Sequence, residues 1–405
     1  MREGTVHTGS PKMASDRRRF LQATAGIGAA CIVGVRSAQG QEPTEIEDWN
    51  DLDAVREAPD DDYVMVADVD ETTAGYDDHV GTPTGGWNPI GDLDRGQDEA
   101  FSGTFDGDGH EITGLQTDRP DEHFVGLFGV VDGGTVTDVT LTELDVTGNE
   151  GVGGLVGLNN GHSTVSKSRA SGAVSGDGWV GGLVGLNGKQ SDSPEVRESW
   201  AHSDVTGEWW VGGLVGQSIG VVSASWARGD VTGDTRVGGL VGLNGGEVWG
   251  CWTDGDVTGD TRIGGLVGMN AARGEVTASY WDEARSGQSE GVGTEDGSGT
   301  DVTGLSTDEM QGESARDSMS ALDFEETWSV QTGPDDYPTL QWQATDDSDD
   351  DDSADADDSD EGDAAGAGAP DEDTADGLPG YGIGSALVGI GSVAYALARR
   401  RPNFE

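Results

Sequence analysis

The chain has 405 residues, of which 77 are acidic and 22 basic, giving a formal net charge of −55. Phosphate binding needs a basic surface, so this balance excludes nucleic acid as a partner. Two cysteines, Cys31 and Cys251, make no disulfide framework.

A charge of this size drives a compact chain apart by self-repulsion, unless molar salt shortens the Debye length to about 3 Å. Only three basic residues are lysine (Lys12, Lys167 and Lys189). Scarce lysine with abundant carboxylates resembles haloarchaeal proteins and implies loss of structure at low salt.

Residues 1–40 read as an address rather than as fold. Asp16-Arg17-Arg18-Arg19-Phe20-Leu21-Gln22 resembles the twin-arginine export motif, with Arg17, Arg18, Phe20 and Leu21 as its signal residues. An apolar run from Ala23 to Val35 follows, and cleavage falls near Ser37 or Gly40. The implied partner is the twin-arginine translocase. Residues 41–124 are expected to form an N-terminal β cap.

Residues 125–281 repeat one phrase. It is Val125-Gly126-Leu127-Phe128-Gly129, then Gly-Gly-Leu-Val-Gly from Gly153, Gly181, Gly212, Gly238 and Gly264, at steps of 28, 28, 31, 26 and 26 residues. A fixed period of this size marks a repeat architecture whose copies must stack to bury their apolar faces. The clearest copy breaks into three apolar runs: Val237 to Asn244, Glu247 to Thr253, and Asp256 to Thr258. Glycine, asparagine or aspartate separates them, as between short strands. The expected fold is all-β, a parallel β-helix or β-solenoid of about six short coils rising about 4.8 Å each. Alternation from Val237 puts Val241 and Leu243 inside and Leu240 outside. The phrase glycines serve either close backbone approach or positive φ.

Stacking turns equivalent positions into ladders. Asn159, Asn187, Asn244 and Asn270 form one, with Gln217 as its exception, and the stacked amides have a structural role. Ser168, Ser199, Ser225, Cys251 and Ser279 form another, so Cys251 reads as a packed thiol. Asp204, Asp230 and Asp256, with Asp145, line up as carboxylates that need a cation between them, such as calcium, or salt around them. Trp200, Trp226 and Trp252 form an aromatic series closed by Tyr280. Trp179 and Trp210 form a shorter one, continued by Arg236 and Arg262. Exposed, such rings are platforms for sugars or partner side chains; buried, they are core. Arginine in both series, at Arg169 in the first copy of one and at Arg236 and Arg262 in the other, argues that both positions touch solvent.

Residues 282–345 are expected to cap the stack. Residues 346–377 then form an acidic, disordered stalk: from Asp346 to Asp376, 16 of 31 residues are acidic and none is aromatic. Residues 378–405 read as a membrane anchor. Tyr381 to Ala398 is uncharged and, as a helix, spans about 27 Å. The Arg399-Arg400-Arg401 run stays cytoplasmic. Pro379, Gly380 and Tyr381 resemble the Pro-Gly-Phe sorting signal of archaeosortase substrates, with tyrosine replacing phenylalanine. The helix is thus either retained or exchanged for lipid.

The repeat phrase and its flanks resemble extracellular proteins carrying the GLUG motif. The resemblance rests on Gly154-Leu155-Val156-Gly157 and its copies at Gly182, Gly213, Gly239 and Gly265. Trp87-Asn88-Pro89-Ile90-Gly91, Phe101 to His110, Ser279-Tyr280-Trp281-Asp282 and Tyr337 to Trp342 add to it. It implies β-helix-like stacking, a cell-surface location and adhesin-like roles, and it carries no catalytic residues. Gly216-Gln217-Ser218-Ile219-Gly220 spells a nucleophile elbow, but it closes a repeat phrase and no helix follows. The expected protein is therefore not an enzyme and has no cofactor beyond calcium or other cations. It is extracellular, anchored by its C-terminus to the cytoplasmic membrane, and meets surface glycans or envelope proteins. The alternatives are a passive surface-layer component and a β-helix enzyme acting on polysaccharide.

Overall fold

The structure, a computed structural model, describes residues 42–82, 85–91, 99–189, 193–297, 299–330, 333 and 336–343. All of these lie in the unit spanning residues 1–352. The export motif (Arg17, Arg18, Phe20, Leu21), the acidic stalk and the sorting motif (Pro379, Gly380, Tyr381) lie outside the described residues. Among the described residues, no helix is long and apolar enough to cross a membrane.

The chain winds as a parallel β-solenoid of about seven turns. One interior column pairs in register through Phe105, Val136, Val165, Val196, Val222, Val248 and Val276. A second runs through Val146, Val174, Val205, Val231 and Val257. Both columns are fully or almost fully buried. Each such side chain contributes about 2 kcal/mol of apolar burial, available only because a neighbouring coil covers it. The third side is a six-stranded parallel sheet, Phe128–Asp132, Val156–Asn160, Val184–Asn187, Val215–Ser218, Val241–Asn244 and Val267–Asn270. Parallel pairing also runs past residues 125–281. Thr44–Ile46 pairs with Tyr63–Met65 at one end, and Glu275–Asp282 with Thr300–Leu305 at the other.

Between residues 153 and 270 the unequal repeat lengths have one source; the preceding coil also carries an extra residue, ten rather than nine separating Val136 from Val146, at the register shift opposite Ala170 and Gly172. Nine residues separate Val165 from Val174, Val196 from Val205, Val222 from Val231 and Val248 from Val257. Six more lead to Val180, Val211, Val237 and Ile263, and seven more to Asn187, Ser218, Asn244 and Asn270. Only the next corner varies: six residues from Asn159 to Val165, nine from Asn187 to Val196, four from Ser218 to Val222. The buried amides pin that corner coil to coil. Asn159 Nδ2 donates to Asn187 Oδ1 at 2.9 Å, Asn187 Nδ2 to Ser218 Oγ at 3.1 Å, and Asn244 Nδ2 to Asn270 Oδ1 at 3.0 Å. The interruption is Ser218 and not Gln217, because Gln217 registers with Leu186 and Leu243 on the outer face.

The repeat phrase is a corner. The expected Val237 to Asn244 strand is two strands, Val231–Gly238 and Val241–Asn244. The turn between them resets the alternation, so Val237, Leu240 and Val241 all enter the core while Leu243 faces out. This corrects the expected alternation. The glycines serve close approach: a Cβ on Gly216 would lie 2.4 Å from the Trp179 carbonyl carbon, and one on Gly242 2.5 Å from that of Trp210. None of the phrase glycines has a positive φ.

A further corner is held by hydroxyls. Lys167, Glu198, Ala224, Gly250 and Ala278 adopt positive φ, and the next residue in each case is Ser or Cys251. Ser199 Oγ accepts the Ser168 N–H, Ser225 Oγ the Ser199 N–H, and Ser279 Oγ the Cys251 N–H, at 3.1–3.2 Å. Cys251 sits in this slot fully buried, its Sγ 3.3 Å from the Trp249 carbonyl oxygen. Burial pushes its thiol up to about 12, and a thiol without thiolate character is inert. In molar salt at mildly alkaline pH, the Cys251 peptide should stay unmodified by maleimide and label fully after denaturation. Labelling of the native protein within minutes would show that this corner opens.

Candidate functional site

The structure separates the two aromatic series. Trp200 and Trp226 stack at 4.6 Å and 8°, Trp226 and Trp252 at 5.1 Å and 5°, and Tyr337 continues the pile on Trp252 at 5.2 Å and 11°. Met310, Ala315, Met319, Leu322, Trp328 and Leu340 cover them, leaving Trp226 5% and Trp252 1% exposed. The C-terminal segment therefore folds back along the flank of the stack. Trp226 and Trp252, expected as ligand-platform residues if open, are interior packing, and Trp200 is half-buried at the end of the pile.

Polar contacts clamp this flank. Asp254, fully buried, meets Arg228 at 3.1 Å and Arg285 at 3.7 Å. Burial raises the Asp254 carboxyl above its ordinary range, with Arg228 pulling the other way. Asp282, also buried, accepts from the Tyr337 hydroxyl and from Thr307 Oγ1 at 2.7 Å each, joining the segment to the last full coil.

Asp204, Asp230 and Asp256 are exposed on successive coils, and the Asp230 N–H donates to Asp204 Oδ1 at 3.1 Å. Among the described residues, no group of three or more acidic, histidine or cysteine side chains is arranged to hold a metal ion. Asp106 lines a hollow of about 300 Å³ with Asp108, Asp138, Lys167 and Trp342. Burial raises the Asp106 carboxyl, and its Oδ1 accepts the Asp108 N–H at 3.0 Å, a turn contact.

The second series is open. Trp179, Trp210, Arg236 and Arg262 occupy one position on successive coils, all at positive φ (51°, 56°, 60° and 61°). Trp179 packs over the outer face of the six-stranded sheet, against the cluster of Val130, Leu158 and Leu186. Trp179 Nε1 donates to Gln217 Oε1 at 2.9 Å, and Arg236 Nε lies 3.4 Å from Met269 Sδ. Trp179 and Trp210 stack at 5.4 Å and 12°, and the Arg236 guanidinium sits 5.2 Å from the centre of the Trp210 ring. Both tryptophans and Arg236 are half-buried, and Arg262 is exposed. Burial and then the neighbouring Arg262 charge lower the Arg236 pKa from its ordinary value.

One member of this strip escaped the sequence reading. Trp209 meets Trp210 edge-on at 6.1 Å and 66°, and lies against Gly178, where a Cβ would fall 1.7 Å from its Nε1. The signal was present: a doubled tryptophan registers with the coil that carries glycine at that position.

Fold and strip together define the class: a parallel β-solenoid repeat protein with an aromatic and cationic ridge along one face. No family model matches the chain. Over 115 residues, 27% of the chain, it is 35% identical to Halomucin of Haloquadratum walsbyi, of whose length it covers 1%. Over 105 residues, 25% of the chain, it is 37% identical to a candidate Gly-rich membrane protein of Evansella cellulosilytica, covering 11% of that protein. The structure matches the crystal structure of a candidate immunoglobulin A1 protease from Bacteroides ovatus with a TM-score of 0.54. The match covers 74% of this chain and 93% of that one at 18% identity, a likeness of fold.

Proposed function

We propose that the protein is a cell-surface, adhesin-like component that contacts envelope material through the Trp179–Arg262 strip and does not catalyse. The carrying observation is the strip itself, in which equivalent positions on four successive coils present stacked rings and guanidinium groups outward. Repetition suits a multivalent contact, whereas an active centre needs unlike groups converging on one point. The stretch shared with Halomucin is in keeping with a halophilic surface protein, and the GLUG resemblance points the same way. On this reading the twin-arginine translocase exports the chain. The acidic stalk then spaces the solenoid from a C-terminal anchor, retained or processed by an archaeosortase. Surface glycans or envelope proteins are its partners, with salt cations screening the Asp204, Asp230 and Asp256 ladder.

The test is binding of the purified protein to isolated cell envelopes in molar salt. The Trp179→Ala, Trp210→Ala double variant, with native circular dichroism, should lose most of this binding. Retention at the level of the parent protein would return the solenoid to a passive surface-layer role.

A further inference from the structure

We infer that the strip takes an acidic polysaccharide, a sugar chain bearing carboxylate or sulfate groups, with Arg236 and Arg262 holding the anions and Trp179, Trp209 and Trp210 holding the ring faces. The inference rests on the strip being the binding face, as proposed above, and adds the chemical class of the ligand.

Its first support is a pair of guanidinium groups on adjacent coils. Among the described residues, Arg56, Arg119, Arg197, Arg228 and Arg285 each lie within 4.0 Å of a carboxylate, whereas Arg169, Arg236, Arg262, Arg273 and Arg316 make no such pair; Arg236 and Arg262 differ from the other three in occupying one position on successive coils. Among the described residues, no carboxylate makes an ion pair with Arg236 or Arg262, although Asp234 and Asp260 stand only two residues earlier on the same coils. Arg236 lies instead against Met269 Sδ and the Trp210 ring. Two arginines rooted one coil apart, about 4.8 Å between backbones by strand spacing, carry like charges that are complementary to an anion placed between them. Each presents a planar fork suited to a carboxylate or sulfate.

The second support is the neighbouring surface. The Trp179 and Trp210 rings lie nearly parallel on the coils preceding the arginines, with Trp209 beside them. Sugar rings stack on such faces through their C–H groups. In molar salt the Debye length of about 3 Å removes long-range attraction. Recognition must then come from contact, through forked hydrogen bonds and ring stacking, and the strip supplies both. It is also rigid, because Gly242, Gly268 and Gly293 pack against the backbones of Trp210, Arg236 and Arg262, with a Cβ at each falling 2.5 Å from the carbonyl carbon.

The experiment measures binding of the full-length protein in molar potassium chloride to polygalacturonate, with dextran as the neutral probe. Polygalacturonate should bind and dextran should bind at least about tenfold more weakly, the scale of one charge-assisted hydrogen bond. The R236Q/R262Q double variant should lose at least about tenfold in affinity for polygalacturonate, so that the preference over dextran disappears. R236K/R262K should recover only part of the loss, since lysine restores charge without the fork. If the double variant fails to fold, the exposed Arg262→Gln alone carries the test, with the same direction expected. Equal binding of the two polymers, or parental affinity in the glutamine variants, overturns the inference. Envelope binding that depends on Trp210 but not on the arginines would overturn it while leaving the proposed function standing. Loss of the Trp210 dependence would remove both.

Discussion

Alanine at Gly242 is expected to destabilise the solenoid by about 3 kcal/mol or more, beyond the usual cost of an overpacked core site. The added Cβ would lie 2.5 Å from the Trp210 carbonyl carbon and 2.6 Å from the Val211 nitrogen, both backbone atoms of the preceding coil. Side chains relieve such contacts by changing rotamer, but here the only relief is to separate two coils. Their spacing is set by the ladder hydrogen bonds on either side, so separation at one corner strains the whole turn. Alanine at Gly245 is the control: its Cβ would meet Ile219 Cγ2 at 3.4 Å, an ordinary contact, and the change should stay within about 0.5 kcal/mol. Thermal melts in molar salt decide the matter. Equal melting temperatures for the two variants would mean that the phrase glycines do not set coil spacing.

Transfer from molar salt to dilute buffer is expected to unfold the protein. Exposed acids recur coil after coil, in Asp204, Asp230 and Asp256, and in Asp177, Glu208, Asp234 and Asp260. Two unit charges one coil apart in water repel by about 0.9 kcal/mol. A Debye length of about 3 Å reduces this to roughly a fifth. Five neighbouring pairs then account for roughly 3.6 kcal/mol, a large part of the smallest margins in the range of about 5–15 kcal/mol for a typical domain, before any other charge is considered. Loss of the far-ultraviolet β signal on dialysis, and its return with salt, would be the expected record. An unchanged spectrum in dilute buffer would show that the carboxylates are neutralised locally.

Much of this architecture was legible because the repeat forces it to be. The Gly-Gly-Leu-Val-Gly period gave the stacked coils, and the Asn159, Asn187, Asn244 and Asn270 rung and the slot of Cys251 followed from alignment alone. Three things were not legible. The turn at Gly239-Leu240 occurs inside an apparently unbroken apolar run, so alternation misplaced Leu240 and Leu243. The fate of the Trp200, Trp226 and Trp252 pile depended on residues 305–342, which carry no period and meet the coils from far along the sequence. The exposure of Trp179 and Trp210 arises from a left-handed backbone at a non-glycine position, which residue identity does not announce. Arginine at the same position in the next two coils was the available hint, but the same cue, Arg169, pointed to solvent at the position where Trp226 and Trp252 are buried.

Between residues 153 and 270 length differences are confined to a single corner, and this bears on how such a chain can change over generations. A tandem duplication of the 26 residues from Gly212 to Val237 would restore every in-register pair on both sides of the join and add one more rung to the ridge. Unequal recombination between neighbouring copies would lengthen or shorten the molecule by whole steps while keeping the strand register. The reach of the ridge, and with it the number of ligand units gripped at once, would then be a heritable variable of its own.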